Sequence, residues 1–178
     1  MTRAALTPDE YHAYYAGYVG RVPGEYHVAT ALDESLSALT DWLDGVTEPR
    51  GADYRYAAGK WTVAQALQHV IDAERVFAYR ALCFARGDAG PLPGFEQDDF
   101  AAQSLRDGLR PLPQLVAELR GVRASTMALF AGLSPEALTR RGVMSGAEHS
   151  VRAVGFIIAG HALHHAALYR ERYAGALA

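Results

Sequence analysis

The sequence predicts an all-α fold: a four-helix bundle with a long crossover between helices 2 and 3. Four long segments repeat apolar residues at spacings of three and four, the period of a helix with one buried face. No series of alternating residues indicates a β-sheet. The stretch 88–110, rich in glycine and proline, separates the second segment from the third. A connection of that length can cross the end or the side of a bundle.

The first two predicted helices have clear boundaries. The first covers 28–46, where the stripe consists of Leu32, Leu36, Leu39, Leu43 and Val46. A loop over 47–61 contains Pro49, Gly51 and Gly59. The second helix begins at Thr62, because Thr62 and Gln65 form a capping-box pattern. It ends before Gly87, which stands where a C-terminal glycine cap belongs.

The other helices are predicted in the same way. The third covers about 112–131, and Ser134-Pro135-Glu136 then predicts a short helical turn. The last helix begins after Ser150 and ends near Tyr173. The segment 7–20 is predicted as a short additional helix. Such a helix would carry an aromatic face formed by Tyr11, Tyr14, Tyr15 and Tyr18. We expect this face to pack against the protein rather than to bind a ligand.

Composition excludes several function classes. The 178 residues are 50% hydrophobic and 21% charged, which is ordinary for a soluble globular protein, and the length predicts a single domain over 1–178. A net charge of −3 without a basic stripe argues against a nucleic-acid partner. The single cysteine, Cys83, excludes a disulfide framework. Without a run of 18 apolar residues or a signal-peptide pattern, we expect no membrane partner and a cytoplasmic protein.

Two histidines interrupt the buried stripe of the last helix. The stripe alternates spacings of three and four through Val151, Val154, Ile158, His161, His165 and Leu168. His161 and His165 therefore occupy positions where leucine or isoleucine is expected. Residues four apart lie about 40° apart around the helix axis and about 6 Å apart along it. Two imidazoles in this arrangement can bind one metal ion.

A third histidine, His69, lies beside the apolar face of the second helix. Three imidazoles from two helices could then converge inside the bundle, where helical bundles build their metal sites. A buried imidazole without hydrogen bonds costs on the order of 1–3 kcal/mol, and a metal ion would relieve that cost. The alternative is that the rings bind carbonyl groups or line a polar cleft. We favour a metal at His69, His161 and His165.

The ligand type limits the metal and its chemistry. Three neutral nitrogens suit zinc, nickel, copper, cobalt or iron better than magnesium or calcium, and three protein ligands leave a position open, as in catalytic zinc sites. His164 and Asp72 could support the site from outside the ligand set, but Asp72 is equally well explained as a surface acid. His149 is expected on the surface or in a loop, close enough to rim the site.

Several fragments resemble the DinB/YfiT-like superfamily. Together they cover nearly the whole chain, and they occur in the order and at the spacing found in that superfamily. They are Gly59-Lys60-Trp61-Thr62, the run His69 to Arg75, the run Arg80 to Asp88 with Pro93-Gly94-Phe95, and the run Gly160 to His165 with Arg170 to Tyr173. The resemblance implies a four-helix bundle with the crossover described above, commonly a homodimer. It also implies a divalent metal, usually zinc or nickel, on three histidines that correspond to His69, His161 and His165.

Characterised members of that superfamily include metal-dependent transferases and isomerases that use bacillithiol, mycothiol or glutathione. The leading hypothesis is therefore an S-transferase that acts on a low-molecular-weight thiol and an electrophilic substrate. The alternatives are a non-catalytic metal-binding stress-response protein and a metal-dependent hydrolase, which would need a carboxylate or histidine base near the metal. Four basic side chains could bind carboxylates of the thiol, although ordinary surface charge explains them better: Lys60, Arg75, Arg80 and Arg86.

Overall fold

A computed structural model describes residues 1–46, 50–88, 90–106, 108 and 110–177. Pro49 and part of the predicted crossover lie outside the described residues. In chain order the helices and strands are α1 (Ala16–Val19), α2 (Val28–Leu43), α3 (Val63–Ala85), α4 (Gln97–Arg106), α5 (Leu112–Ala131), α6 (Pro135–Thr139), β1 (Arg141–Met144), β2 (Ala147–Ser150) and α7 (Val151–Arg172). Short 3-10 turns cover Arg3–Ala5, Pro8–Glu10, Ala13–Tyr15 and Ala174–Leu177.

The four long helices form the predicted bundle. Helix α7 packs against α2 and α3, and α5 packs against the same two helices. The predicted starts of the second and last long helices are confirmed, whereas the helix predicted over 28–46 ends at Leu43. Thr62 accepts a hydrogen bond from the Gln65 amide at 3.1 Å, and the Gln65 side chain accepts one from the Thr62 amide at 2.9 Å. Ser150 caps α7 by accepting a hydrogen bond from the Ala153 amide at 3.1 Å.

The core consists of two apolar clusters along the bundle. One contains Phe84 and Phe156, and the other contains Leu67 and Tyr169. Along α7, residues up to Ala159 belong to the first cluster, and residues from Ala166 belong to the second. The interruption between them is where the stripe histidines occur, so the candidate site lies at the junction of the two clusters.

A buried ion pair joins three of the bundle helices. Arg123 of α5 has no exposed surface, and its guanidinium donates two hydrogen bonds of 2.8 Å to the two carboxylate oxygens of Glu74 on α3. It also donates to the Ser35 hydroxyl at 2.9 Å and to the Leu32 carbonyl, both on α2. Both charges are thereby paired and hydrogen-bonded, the condition under which buried charge is tolerated.

Among the described residues, α7 is the one helix long and apolar enough to cross a membrane. It has the length and the mean hydropathy, 1.2 over 18 residues, of a membrane-spanning helix, but 72% of that window is buried within the protein. The core helix of a soluble protein meets the same criterion, so this burial is consistent with a soluble protein.

A β-hairpin between α6 and α7 is the first departure from the sequence analysis, which predicted no strands. Strands β1 and β2 are antiparallel, and Met144 pairs with Ala147 across a two-residue turn. Both turn residues have positive φ, 52° at Ser145 and 80° at Gly146, as a type I′ turn requires. Leu92 of the crossover makes a parallel bridge with Met144, so the hairpin fixes where the crossover runs.

The two other departures concern the crossover and the segment 7–20. The crossover contains helix α4, which was not predicted. The segment 7–20 forms two 3-10 turns and the single-turn helix α1 instead of one continuous helix. Glu10 fastens this segment to α7 by accepting hydrogen bonds from the Ser150 hydroxyl at 2.7 Å and from Arg152. Burial alone would raise the pKa of Glu10. Hydrogen bonds from Arg152, Thr7 and Ser150 together outweigh this effect and lower the pKa to about 2.

Replacing Gly160 with alanine should destabilise the protein by about 1–3 kcal/mol, the usual cost of overpacking a core. A Cβ atom on Gly160 would lie 2.1 Å from the backbone oxygen of Tyr18, so α1 would have to move away from α7. Urea unfolding of Gly160→Ala measures the cost. Gly17→Ala is the matched control, because its Cβ would meet nothing within 4 Å. Equal stability of the two variants would contradict the close packing of α1 on α7.

Candidate metal centre

Helices α3 and α7 bring together the three histidines that the sequence singled out. His69 Nε2 lies 3.1 Å from His161 Nε2. The ring centroids are 5.0 Å apart for His69 and His161, 5.2 Å for His69 and His165, and 4.7 Å for His161 and His165. One nitrogen from each ring lies within 4.8 Å of one from each of the others. The i, i+4 pair and the histidine of the other helix therefore converge as predicted.

The three histidines are largely buried and electrically neutral. The side chains of His69, His161 and His165 are 7%, 6% and 5% exposed. Burial lowers the pKa of His69 to about 4, and the nearby carboxylate of Asp98 offsets only part of this effect. Burial also holds the pKa values of His161 and His165 well below the ordinary value, and the neighbouring histidines lower them further. Each ring therefore keeps a lone pair available near neutral pH.

The residues present fit a divalent metal. His165 Nδ1 is buried without a hydrogen-bond partner, alone among the buried side-chain nitrogens and oxygens of the described residues. A metal ion accounts for such a nitrogen better than an empty space, because an unpaired buried polar atom costs free energy. Zinc binds imidazole nitrogen at about 2.0–2.1 Å, so two nitrogens on one ion lie roughly 3–3.5 Å apart. The 3.1 Å separation between His69 and His161 agrees with that spacing.

Aromatic side chains hold the imidazoles in place. The Trp61 ring packs against His69 with centroids 5.0 Å apart, and the Tyr173 hydroxyl positions that segment by donating to the Trp61 carbonyl at 2.9 Å. From the other side, the Tyr18 ring meets the His161 ring edge-on at 5.3 Å. Rings confined in this way lose little freedom when they bind an ion.

Without metal, the protein should lose stability as the pH falls from 7 to 5. The three imidazoles are neutral when folded but titrate near pH 6.5 when unfolded. The unfolded state therefore binds more protons below pH 6.5, and the free energy of unfolding falls. For His69, whose folded pKa is about 4, the loss at pH 5 is about 2 kcal/mol.

Urea unfolding of chelator-treated protein at pH 7 and pH 5 measures this loss. His69→Gln should show a smaller difference between the two pH values than the wild type. The same pH dependence in wild type and variant would show that His69 is not held neutral by burial.

Two clefts reach the histidine cluster. The first, called here the Arg80 cleft, has a volume of about 470 Å³, and His161 lines it together with Tyr15, Phe77, Arg80, Phe95, Met144 and His149. The second, the Lys60 cleft, has a volume of about 430 Å³, and His165 lines it together with Tyr56, Lys60, Trp61, His164 and Leu168. His69 lines both clefts, as do Tyr18, Gln97 and Asp98. The cluster is therefore accessible from two directions.

The structure separates the residues suggested as supports for the site. His164 lines the Lys60 cleft, and its ring lies 5.3 Å from the His165 ring, but it is not part of the three-nitrogen group. The Asp72 carboxylate accepts a hydrogen bond from Gln68 at 2.9 Å and lies 3.7 Å from the Arg75 guanidinium. No hydrogen bond to His69 is present among the described residues, and Asp72 is half-buried rather than fully solvated.

The prediction that His149 is a surface or loop residue was wrong. It lies on β2 with no exposed surface. Its Nε2 accepts a hydrogen bond from the His12 amide at 3.3 Å, so its Nδ1 carries the proton and donates to the Ala147 carbonyl at 2.9 Å. Burial lowers its pKa. This imidazole lines the Arg80 cleft as a neutral ring with both nitrogens occupied.

The four basic candidates occupy different environments. Arg75 is a surface residue paired with Glu118 at 2.6 Å, and both Arg86 and Lys60 are exposed. Arg80 is only 2% exposed and lines the first cleft. The prediction that Arg80 is an ordinary surface charge was therefore wrong, because the crossover and the hairpin cover this part of α3.

Sequence reasoning missed Asp98, which lies on the first turn of α4 and lines both clefts. It is exposed, and its charge acts on His69. The length of the crossover was the available signal, because long connections in compact domains are commonly functional. The helix that positions Asp98 was not predicted, so its place beside His69 could not be derived.

The comparisons with known proteins agree with this architecture. Among solved structures, YfiT from Bacillus subtilis matches with a TM-score of 0.69 and 18% sequence identity, covering 81% of this chain and 85% of that chain. YfiT is described as a probable metal-dependent hydrolase with an unusual four-helix bundle topology. At this identity the match shows a shared fold. A search of curated proteins finds no match.

The family assignment rests on the sequence as well as on the fold. The family model of the DinB superfamily matches residues 31–168. That region contains all four bundle helices except the first turn of α2 and the last turn of α7. It also contains His69, His161 and His165. By sequence and by fold, the chain belongs to the DinB superfamily.

Proposed function

We propose that this protein is a divalent-metal enzyme, with His69, His161 and His165 as metal ligands, that transfers a low-molecular-weight thiol to an electrophilic substrate. The observation that carries the proposal is the pair of clefts that meet at the cluster. Two clefts that meet at one site allow two organic molecules to reach it separately, and His69 lines both clefts. Bacillithiol, mycothiol and glutathione are the candidate thiols, and zinc and nickel the candidate metals.

The residues around the cluster supply the remaining functions. A bound divalent ion supplies Lewis acidity, which lowers the pKa of a thiol or water beside it. In this proposal Asp98, which is exposed and lines both clefts, accepts the released proton. Lys60, exposed in the second cleft, can pair with a carboxylate of the thiol. The Arg80 cleft then receives the electrophile between aromatic walls.

The open clefts also favour an enzyme over a non-catalytic metal-binding protein. A purely structural site is closed by a fourth protein ligand. The ligand group in the described part of the chain consists of three histidines, and two clefts adjoin them. Both observations support a site that admits other molecules.

The test is a transfer assay on metal-loaded protein with each of the three thiols and a chromogenic aryl halide. Thiol-dependent product formation above the uncatalysed rate is expected, and His161→Ala should abolish it. His27→Ala is the control, because His27 is exposed and lies on a different element. A metal-loaded protein that turns over with none of the three thiols would overturn the proposal.

Metal-dependent hydrolysis is the second candidate function. Asp98 provides the carboxylate base that this reaction needs near the metal, and YfiT is described as a probable hydrolase. Cleavage of a chromogenic ester by metal-loaded protein, without thiol, tests this candidate. Hydrolysis that is lost in Asp98→Asn but unaffected by added thiol would favour it over thiol transfer. No ester cleavage above background would reject it for this substrate type.

A further inference from the structure

Arg80 is a buried cation without an acidic partner. Its guanidinium donates to the Pro93 carbonyl at 2.6 Å and to the Met144 sulfur at 3.9 Å, and it interacts with the Tyr15 hydroxyl. The rings of Phe77 and Phe95 lie 5.4 and 5.7 Å from it. No carboxylate of the described residues forms an ion pair with it.

Arg123, the other buried arginine of the described residues, differs in this respect, because it is paired with Glu74 through two hydrogen bonds. Arg152, whose side chain is 11% exposed, is paired with Glu10. Proteins rarely bury a charge without pairing it, because the uncompensated charge is costly. Arginine remains protonated even when burial lowers its pKa, as it does at Arg80. The missing partner is therefore expected to come from a bound molecule.

The surroundings of Arg80 have the form of a binding site. A guanidinium has five N–H groups, and the three contacts above leave at least two of them for a ligand. Arg80 lines the same cleft as His69 and His161, so a ligand that it holds is presented to the candidate metal centre. Tyr15, Phe77 and Phe95 give the cleft aromatic walls that suit an apolar body.

We propose that Arg80 anchors a carboxylate of the substrate in the Arg80 cleft, so that the substrate is an organic acid with an apolar body. A planar carboxylate can accept two parallel hydrogen bonds from a guanidinium. It also neutralises a single positive charge. A phosphate carries a charge of about −1.5 to −2, and the excess would be repelled by Glu96 and Asp98 at the exposed side of this cleft. The inference deepens the proposed function and rests on it for the reaction, but not for binding.

Calorimetric titration of the full chain tests the proposal, using phenylacetate, the neutral analogue 2-phenylethanol, and phenyl phosphate as probes. Chelator-treated protein is titrated first, because a carboxylate could otherwise bind a metal ion. Wild-type protein should bind phenylacetate at least about tenfold more tightly than 2-phenylethanol, as expected for charge-assisted hydrogen bonds. Equal affinities would overturn the proposal, and tighter binding of phenyl phosphate would overturn the carboxylate assignment.

Substitutions then locate the anchor. Arg80→Gln should weaken phenylacetate binding at least about tenfold and leave 2-phenylethanol binding unchanged, while Arg80→Lys should weaken it less. Arg86→Gln is the matched control, because Arg86 follows the same helix and is exposed. Undiminished binding by folded Arg80→Gln would overturn the proposal. If that variant does not fold, the comparison of probes on wild-type protein and the Arg80→Lys result decide the outcome.

Metal content separates this inference from the proposed function. Arg80-dependent phenylacetate binding by a protein that takes up no zinc or nickel would refute the proposed function and leave the anchor intact. Metal-dependent thiol transfer by a protein whose phenylacetate affinity is independent of Arg80 would refute the anchor alone.

Discussion

His161→Ala is expected to abolish stoichiometric binding of a divalent metal. The substitution removes the imidazole closest to His69, with which it forms the 3.1 Å nitrogen pair, and leaves two ligands. A ligand at 100 times its dissociation constant stabilises a folded protein by about 2.7 kcal/mol. For a domain of this size that corresponds to an increase of about 5–10 °C in Tm. Wild-type protein should show this increase with zinc or nickel, and His161→Ala should not.

Elemental analysis of protein purified without a tag, followed by thermal melts with and without added metal, makes the measurement. His27→Ala should behave as wild type in both, since His27 is exposed and distant in sequence from the cluster. The metal assignment is refuted if wild-type protein contains no metal and shows no shift with zinc or nickel. Retention of full metal content by His161→Ala would refute the ligand assignment.

Arg123→Met is expected to destabilise the protein by about 3–5 kcal/mol, the largest effect on stability among these predictions. The substitution leaves the carboxylate of Glu74 buried without its two hydrogen bonds, and it also removes donors to Ser35 and Leu32. Helix α5 would lose its buried polar connection to both α2 and α3 and would keep only the exposed Arg75–Glu118 pair to α3 among the ion pairs of the described residues. Urea unfolding measures the change in the free energy of unfolding.

The double variant Glu74→Leu/Arg123→Met distinguishes a broken ion pair from lost packing. Removing both charges should recover a large part of the stability, because no buried charge then remains unpaired. Arg75→Met, on the surface beside this pair, should cost no more than about 1 kcal/mol. A double variant as unstable as the sum of the two single variants would contradict coupling between Glu74 and Arg123.

The helix boundaries were predictable because their signals are local. The Thr62 and Gln65 capping box, the Ser150 cap and the positive φ of Gly87 depend only on neighbouring residues. The same is true of the histidine pair, whose shared face follows from the helical period. Placing His69 next to that pair required only that two helices pack on their apolar faces. The cluster of three could therefore be predicted from the sequence.

The missed features depend on contacts between distant segments. The strands β1 and β2 have four residues each, which is too short for alternation to stand out, although Ser145-Gly146 is a known turn signal. His149 and Arg80 are buried by the N-terminal segment, the hairpin and the crossover, which pack together far from one another in sequence. A polar residue gives no local sign that a distant segment will cover it.

The attachment of residues 1–27 to α7 has an evolutionary consequence. The three histidines lie within the stretch that matches the DinB superfamily, residues 31–168. Tyr15 and Tyr18, which form one wall of the Arg80 cleft, precede that stretch and are held by Glu10 through Ser150 and Arg152. Changes before α2 can therefore alter the shape of the cleft without replacing any histidine of the cluster. The histidine cluster and the N-terminal wall of this cleft are encoded in different parts of the gene, so each can diverge under its own selection.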